Sequence, residues 1–285
     1  MGEPVVYLNG ELVRAGEARI SVFDTGFLHA ASVFTTLLGH HGRPFRLDRH
    51  LARLREQAEK IGLGHPATDD ELADAVGQVL QANAMAEARI RITLTPGAVG
   101  SGEPTTLVTA VAAQNDPRWY SRGLGVIVSG VRQYEGDPTA GVKTGCYLTR
   151  VMARQAAAVA GADEALWFTV SGRLAEACYC NVFCVREGRV ATPPLDTPVL
   201  PGVVRQAVIE LCEKLDLPTG DDEPITGEDL LAAEEVFLTS SVAGVRPVVR
   251  IDRRGVGDEK PGPITKRIMA AYADLLDAEC PPPTE

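Results

Sequence analysis

The chain has 285 residues, a formal net charge of −10 and a pI near 5.1, a balance that repels a phosphate backbone; with no basic run to override it, nucleic acid is excluded as a partner. Apolar residues make up 45% and charged residues 23%; no stretch approaches the roughly twenty apolar residues of a membrane span, and Met-Gly-Glu-Pro is no signal peptide, so a soluble, cytoplasmic protein is expected. The length suits two domains, and six cysteines make no disulfide framework in a chain of this size.

Asn9-Gly10 between two apolar runs signals an opening hairpin, because both turn positions need a positive φ. Arg19 to Phe23 reads as a further strand, and Ser32 to Leu38 with Pro44 to Leu47 as a second hairpin around His40-His41-Gly42-Arg43. From Asp48, a candidate N-cap, Leu47, Leu51, Leu54, Ala58 and Ile61 recur at helical spacing. Arg53 stands beside that stripe, able either to reach inward to an anion or to snorkel outward. Thr68 and Glu71 form a capping box for a second helix to about Ala84. Ala88 to Thr95 alternates, so Arg89, Arg91 and Thr93 share one face and Ile90, Ile92 and Leu94 the other. A Gly-rich loop, a strand from Thr105 to Ala113 and the break at Asn115-Asp116-Pro117 follow, which puts a domain boundary between residues 117 and 118.

The second half opens with a strand at Gly125-Val-Ile-Val-Ser, followed by a loop around Lys143 and a helix from Tyr147 to about Ala160. Ala165 to Val170 is a strand, and Asn181 to Val185 with Arg189 to Ala191 a hairpin about Glu187-Gly188. Cys178, Cys180 and Cys184 would share one strand face, but no fourth ligand stands at a zinc-like spacing, so no metal is expected. Leu200-Pro-Gly-Val203-Val204 opens a helix whose free N–H groups make an anion site, unless it is a plain helix start. Glu228 to Ala233 is a short helix, Val236 to Leu238 and Val245 to Ile251 are strands around the hydroxyl-rich turn Thr239-Ser240-Ser241, and Pro263 to Ala278 is a closing helix. No internal repeat is present.

Two features call for a partner. Lys143 is one of only five lysines against twenty-three arginines, set among glycines and apolar residues; partial desolvation there would lower its pKa and make it a usable amine nucleophile, although most lysines do no chemistry. Glu176, between apolar residues on a strand, costs several kcal/mol to bury unless it is paired. A Schiff-base lysine, an anion cradle and a carboxylate for a ring nitrogen are together what pyridoxal phosphate requires.

Five motifs carry a resemblance: Asp48-Arg-His-Leu-Ala-Arg53-Leu, Lys143-Thr-Gly-Cys-Tyr147-Leu, Glu176 followed by Asn181-Val-Phe, Thr192-Pro-Pro-Leu, and Leu200-Pro-Gly-Val-Val-Arg205. In this order, and nearly end to end, the chain resembles the class IV (fold-type IV) pyridoxal phosphate enzymes, which include branched-chain and D-amino acid aminotransferases and aminodeoxychorismate lyase. The resemblance implies a two-domain α/β (α+β) fold, with a small N-terminal α/β domain (1–117) and a larger β-barrel-like C-terminal domain with helices (118–285). It implies a homodimer acting on an amino acid and a 2-oxo acid. Lys143 matches the Schiff-base lysine and proton carrier, Glu176 the carboxylate at the pyridine nitrogen, Arg53 and the N–H groups of Val203 and Val204 the phosphate site, and Tyr147 the tyrosine near the phenolic oxygen. Ser240 and Ser241 match the turn that touches phosphate and substrate carboxylate, while Phe34, Arg91 and Val242 fall where substrate is chosen. Thr35 and Thr36 stand where many members carry a Glu, as in some aminodeoxychorismate lyases, and Pro96 replaces a common carboxylate-binding arginine, for which Arg91, or as second choice Arg89, is the substitute.

Overall fold

A computed structural model describes residues 2–64, 67–100 and 103–283. The chain divides into two compact units, one of Met1–Gln114 with Val142–Cys146 and Leu275–Glu285, the other of Asn115–Gly141 and Tyr147–Asp274.

The first unit is an antiparallel sheet carrying helices. The opening hairpin joins β1 (Val5–Leu8) and β2 (Glu11–Arg14) through Asn9 and Gly10, both at positive φ. The expected strand over Arg19–Phe23 is absent: Ile20, Val22 and Phe23 meet no core face and stay exposed, and the chain turns at Asp24 into the short helix α1 (Thr25–His29). Then come β3 (Val33–His40), β4 (Arg43–Pro44), α2 (Leu47–Lys60), α3 (Asp69–Ala82), β5 (Ala88–Thr95) and β6 (Thr105–Ala112), in the sheet order β2-β1-β6-β5-β3-β4. Helix α2 starts one residue before Asp48, because Leu47 packs onto the core and Arg46 takes the cap position in the left-handed region. The Thr68–Glu71 capping box of α3 forms as expected. Ile90, Ile92 and Leu94 of β5 bury completely with Leu51 and Leu54 of α2 and Leu72, Val76 and Val79 of α3, so alternation on the strand and 3.6-residue periodicity on the helices meet in one core.

The second unit curls a nine-stranded sheet. Its elements are α4 (Arg118–Ser121), β7 (Leu124–Gln133), α5 (Leu148–Val159), β8 (Glu164–Thr169), β9 (Leu174–Ala177), β10 (Asn181–Arg186), β11 (Arg189–Ala191), α6 (Val203–Lys214), β12 (Thr219–Gly220), α7 (Gly227–Leu231), β13 (Glu235–Ser240), β14 (Gly244–Ile251), β15 (Arg254–Gly255) and α8 (Pro263–Glu279) as far as Asp274, the rest of that helix belonging to the first unit. Hydrogen bonding runs β12-β11-β10-β13-β14-β7-β8-β9, with β15 on β14. Since β9 passes through the three-residue turn Cys178–Cys180 into β10, with Ala177 N donating to Cys180 O, the far end of that path returns beside its third strand and gives the curl. Strand β8 is buried on both faces: Leu166 and Phe168 join the interior of the curl, while Ala165 and Trp167 pack with Ala153 and Ala157 of α5. Among the described residues no helix is long and apolar enough to cross a membrane.

Candidate active site

The candidate residues fall into two groups, one in each unit. In the first unit, α2 presents His50, Arg53 and Gln57 on one stripe, at i, i+3 and i+7, all buried although all polar. The Arg53 side chain lies inward, at 7% exposure, and its Nη2 donates to Thr35 Oγ1 (3.1 Å) on β3. Gln57 Oε1 accepts from Lys143 N (3.1 Å), Phe34 N donates to Lys143 O (3.0 Å), and Gly145 N donates to Ser32 O (2.9 Å), so the lysine loop is stitched onto the start of β3. Glycine suits position 145, because a Cβ there would stand 2.3 Å from Ser32 Oγ and 3.1 Å from Ala30 O, so that the serine would have to rotate away. Lys143 is half-buried, and its Nζ is 4.7 Å from the centre of the Phe34 ring, over which the Arg91 guanidinium also lies at 3.5 Å. Arg91 Nε donates to Thr93 Oγ1 (3.0 Å) on the same strand face.

The second unit holds the buried carboxylate. Glu176 sits on β9 at 5% exposure, ion-paired with Arg150 of α5, and its Oε2 accepts from Leu200 N (3.1 Å). Arg150 also donates to the carbonyls of Ala177 (3.2 Å) and Cys178 (2.9 Å). Burial works against its charge, but Glu176 together with Tyr147 and Cys178 outweighs it, and the guanidinium pKa is raised. Gln133 lies beside this pair; its amide is better satisfied turned over, donating to Pro198 O (3.1 Å) and accepting from Arg150 (3.2 Å). Tyr147 precedes α5 and stacks on Tyr179 with ring centres 5.6 Å apart, and Arg150 lies 5.5 Å from its ring centre.

Leu200 couples the carboxylate to the start of α6. Its carbonyl accepts from Asn181 Nδ2 (2.8 Å), and Asn181 Oδ1 lies so close under Gly202 that a Cβ there would stand 2.0 Å away. Gly202 is the N-cap of α6 and offers no side-chain cap, so the first-turn N–H groups, those of Val203 and Val204 among them, are left to an outside acceptor. Asn181 pairs with Thr239 across the sheet, next to the Ser240-Ser241-Val242 turn. Thr239 Oγ1 is buried and has no hydrogen-bond partner among the described residues. An uncapped helix start beside a buried unmatched hydroxyl fits a phosphate group as ligand.

Within the units, then, Lys143, Phe34 and Arg91 cluster, Arg53 is tied to β3, and Glu176 is linked through Leu200 and Asn181 to the α6 start and to the serine turn. Arg150, His50 and Asn181 were missed as functional residues. Arg150 lies on α5, far along the sequence from Glu176, and carries no local signal, whereas His50 and Asn181 each sit inside a quoted motif. The buried thiols of Cys178 and Cys184 are no rival nucleophiles: burial pushes Cys178 up to about 12 and Cys184 up to about 11.

A half-buried amine, a buried carboxylate and an uncapped helix start are the equipment of a transferase that works with an organic cofactor. Residues 32–251 match the family model described as amino-transferase class IV, and the chain belongs to that family. The branched-chain-amino-acid aminotransferase of Salmonella typhimurium (strain LT2) is 30% identical over 290 residues, spanning 96% of this chain and 93% of that one. Among solved structures, the Escherichia coli branched-chain amino acid aminotransferase matches with a TM-score of 0.91 at 27% identity, covering 98% of this chain and 96% of that one. The branched-chain amino acid aminotransferase of T.th., solved with pyridoxamine 5′-phosphate, also matches with a TM-score of 0.91 at 27% identity, covering 99% and 96% of the two chains. The mixed α/β architecture with its curled sheet is thus that of the fold-type IV aminotransferases, and the protein is a transaminase.

Proposed function

We propose that the chain uses pyridoxal 5′-phosphate, held through Lys143, to move an amino group between a branched-chain amino acid and a 2-oxo acid. One observation carries the reading: the Lys143 amine and the Arg91 guanidinium stand at 4.7 and 3.5 Å from the same Phe34 ring, which puts an amine, an anion-binding cation and an apolar wall within one small molecule's reach. A 2-oxo acid with an apolar side chain offers a carbonyl to the amine, a carboxylate to the guanidinium and an apolar chain to the ring.

The bound cofactor supplies an electron-accepting ring that stabilises the carbanion left when the substrate loses its α-proton. Lys143 Nζ would anchor the cofactor and carry that proton. Glu176, held in register by Arg150 and Leu200 N, would pair with the ring nitrogen and keep it protonated. Arg53, the N–H groups of Val203 and Val204, and the hydroxyls of Ser240 and Ser241 would receive the phosphate, and Tyr147 would serve the phenolic oxygen. Phe34, Arg91 and Val242 shape the choice of substrate.

A homodimer is supported by the run Ile20 to Leu28, where Phe23 and Phe27 are 67% and 69% exposed, an apolar surface that a second copy would cover. Six free cysteines, five of them buried, suit a reducing, cytoplasmic setting. Aminodeoxychorismate lyase activity is the second reading, favoured by the threonines at 35 and 36.

Borohydride reduction tests the shared chemistry: the reading fails if the purified protein holds no reducible chromophore, or if the pyridoxyl label maps away from Lys143. Products then separate the alternatives. L-Leucine or D-alanine drives conversion to the pyridoxamine form in a transaminase of matching stereochemistry, and aminodeoxychorismate yields 4-aminobenzoate in a lyase.

A further inference from the structure

The side chains of Thr35, His50 and Arg53 form a buried hydrogen-bonded triad. Thr35 Oγ1 lies 2.8 Å from His50 Nδ1 and accepts from Arg53 Nη2 at 3.1 Å, while that same Nη2 lies 3.4 Å from His50 Nδ1. A guanidinium can only donate, so the assignment that satisfies both neighbours of Nδ1 makes that nitrogen the acceptor. In that assignment the Thr35 hydroxyl donates to Nδ1, and the proton of the neutral ring sits on Nε2.

We propose that Thr35 and His50 are positioning residues for Arg53, a neutral relay in which the Nε2–H tautomer of His50 orients the Thr35 hydroxyl and that hydroxyl fixes the guanidinium. The inference rests on the reading of Arg53 as a phosphate-binding residue.

Three observations support it. All three side chains are buried, and they sit on two packed elements, α2 and β3, so the geometry is held from both sides. His50 stays neutral, because burial, then the charges of Arg53 and Lys143, push its pKa well below the ordinary value. Chemistry gives the reason for a hydroxyl. A carboxylate at position 35 would hold the guanidinium as firmly but would add a counter-charge, whereas the neutral Thr35 hydroxyl fixes the direction of Arg53 without adding one. Gln57, one turn further along α2, holds the lysine loop in the same manner through Lys143 N, so a single helix stripe orders both the anion-binding cation and the amine.

The test has two arms on the purified full-length chain. In histidine-labelled protein, long-range 1H–15N correlation spectra are expected to show His50 as the Nε2–H tautomer at neutral pH; an Nδ1–H ring or an imidazolium overturns the relay. In binding titrations with pyridoxal 5′-phosphate and with inorganic phosphate, Thr35→Val is expected to weaken both about tenfold, the scale of one hydrogen bond to a charged group, and Thr35→Ser to restore them. Arg53→Gln separates the two claims. If it leaves both affinities unchanged, the reading of Arg53 fails; if it weakens them while a folded Thr35→Val does not, the positioning role alone is overturned. Should Thr35→Val not fold, the spectrum of the unaltered chain and a His50→Asn variant still decide.

Discussion

Gly202→Ala is the substitution whose consequence follows most directly from the coordinates. The new Cβ would meet Asn181 Oδ1 at 2.0 Å, Asn181 Cγ at 3.2 Å and Arg205 Cβ at 3.3 Å, so the Asn181 side chain, itself 5% exposed, has to move. Overpacking of this kind costs about 2 kcal/mol, and replacing glycine by alanine at an N-cap adds about 0.5 kcal/mol, for a loss of about 2.5 kcal/mol. Asn181→Ala removes the bond to Leu200 O, which costs about 1 kcal/mol. The two changes share one contact. With Asn181 truncated there is no amide to clash with, so the double variant loses about 1.5 kcal/mol rather than the additive 3.5, a coupling of about 2 kcal/mol. Urea unfolding followed by tryptophan fluorescence reads this out, since Trp119 and Trp167 both lie in the same unit as Gly202. Both single variants are also expected to weaken binding of pyridoxal 5′-phosphate, because Leu200 N holds Glu176 and α6 begins three residues later. Additive losses in the double variant would refute the reasoning.

Further outcomes follow from the same geometry. Glu176→Gln is expected to retain cofactor, since an amide oxygen can still accept from Leu200 N, yet to lose most of its turnover; undiminished kcat would show that ring protonation is not its role. Lys143→Ala is expected to abolish borohydride-dependent labelling without disturbing the fold, as measured by far-UV circular dichroism, because the loop is held by backbone bonds at residues 143 and 145. His40 places Nδ1 at 2.8 Å from Glu87 and Nε2 at 2.9 Å from Asp277. Burial alone would lower its pKa, but the bonds to Asp277 and Glu87 outweigh it and the net shift is upward from 6.5. The stabilising effect is therefore complete below pH 6.5 and lost as pH rises through the folded-state value, so the gap in urea midpoint between the unaltered chain and His40→Gln should narrow on going alkaline. A gap that widens with pH would contradict the assignment.

Local rules were enough wherever one residue's neighbours dictate its conformation. The Asn9-Gly10 hairpin, the Thr68–Glu71 capping box and the alternation of β5 follow from positive φ, orphan N–H groups and a two-residue period, and each is found as read. The same reasoning failed at Arg19–Phe23, where the pattern suited a strand but no sheet edge or core face was there to receive it. It also set the cap of α2 two residues late, at Asp48 rather than Arg46, because packing of Leu47 onto the core outweighed the capping preference of Asp48.

The sequence by itself determined the family. Its motifs are short and contiguous, and the lysine, the buried carboxylate and the Leu-Pro-Gly helix start each carry a physical oddity legible in a few residues. Only the tertiary structure could show that Arg150 is the ion-pair partner of Glu176, that Thr35 and His50 hold Arg53, and that Asn181 lies beneath Gly202. Arg150, Thr35 and Asn181 are 26, 18 and 21 residues from the groups they serve, His50 meets Thr35 across 15 residues, and hydrogen bonds are directional over about 3 Å. A pattern of residue types along the chain does not encode which side chains come within that distance; the packing of sheet and helix does.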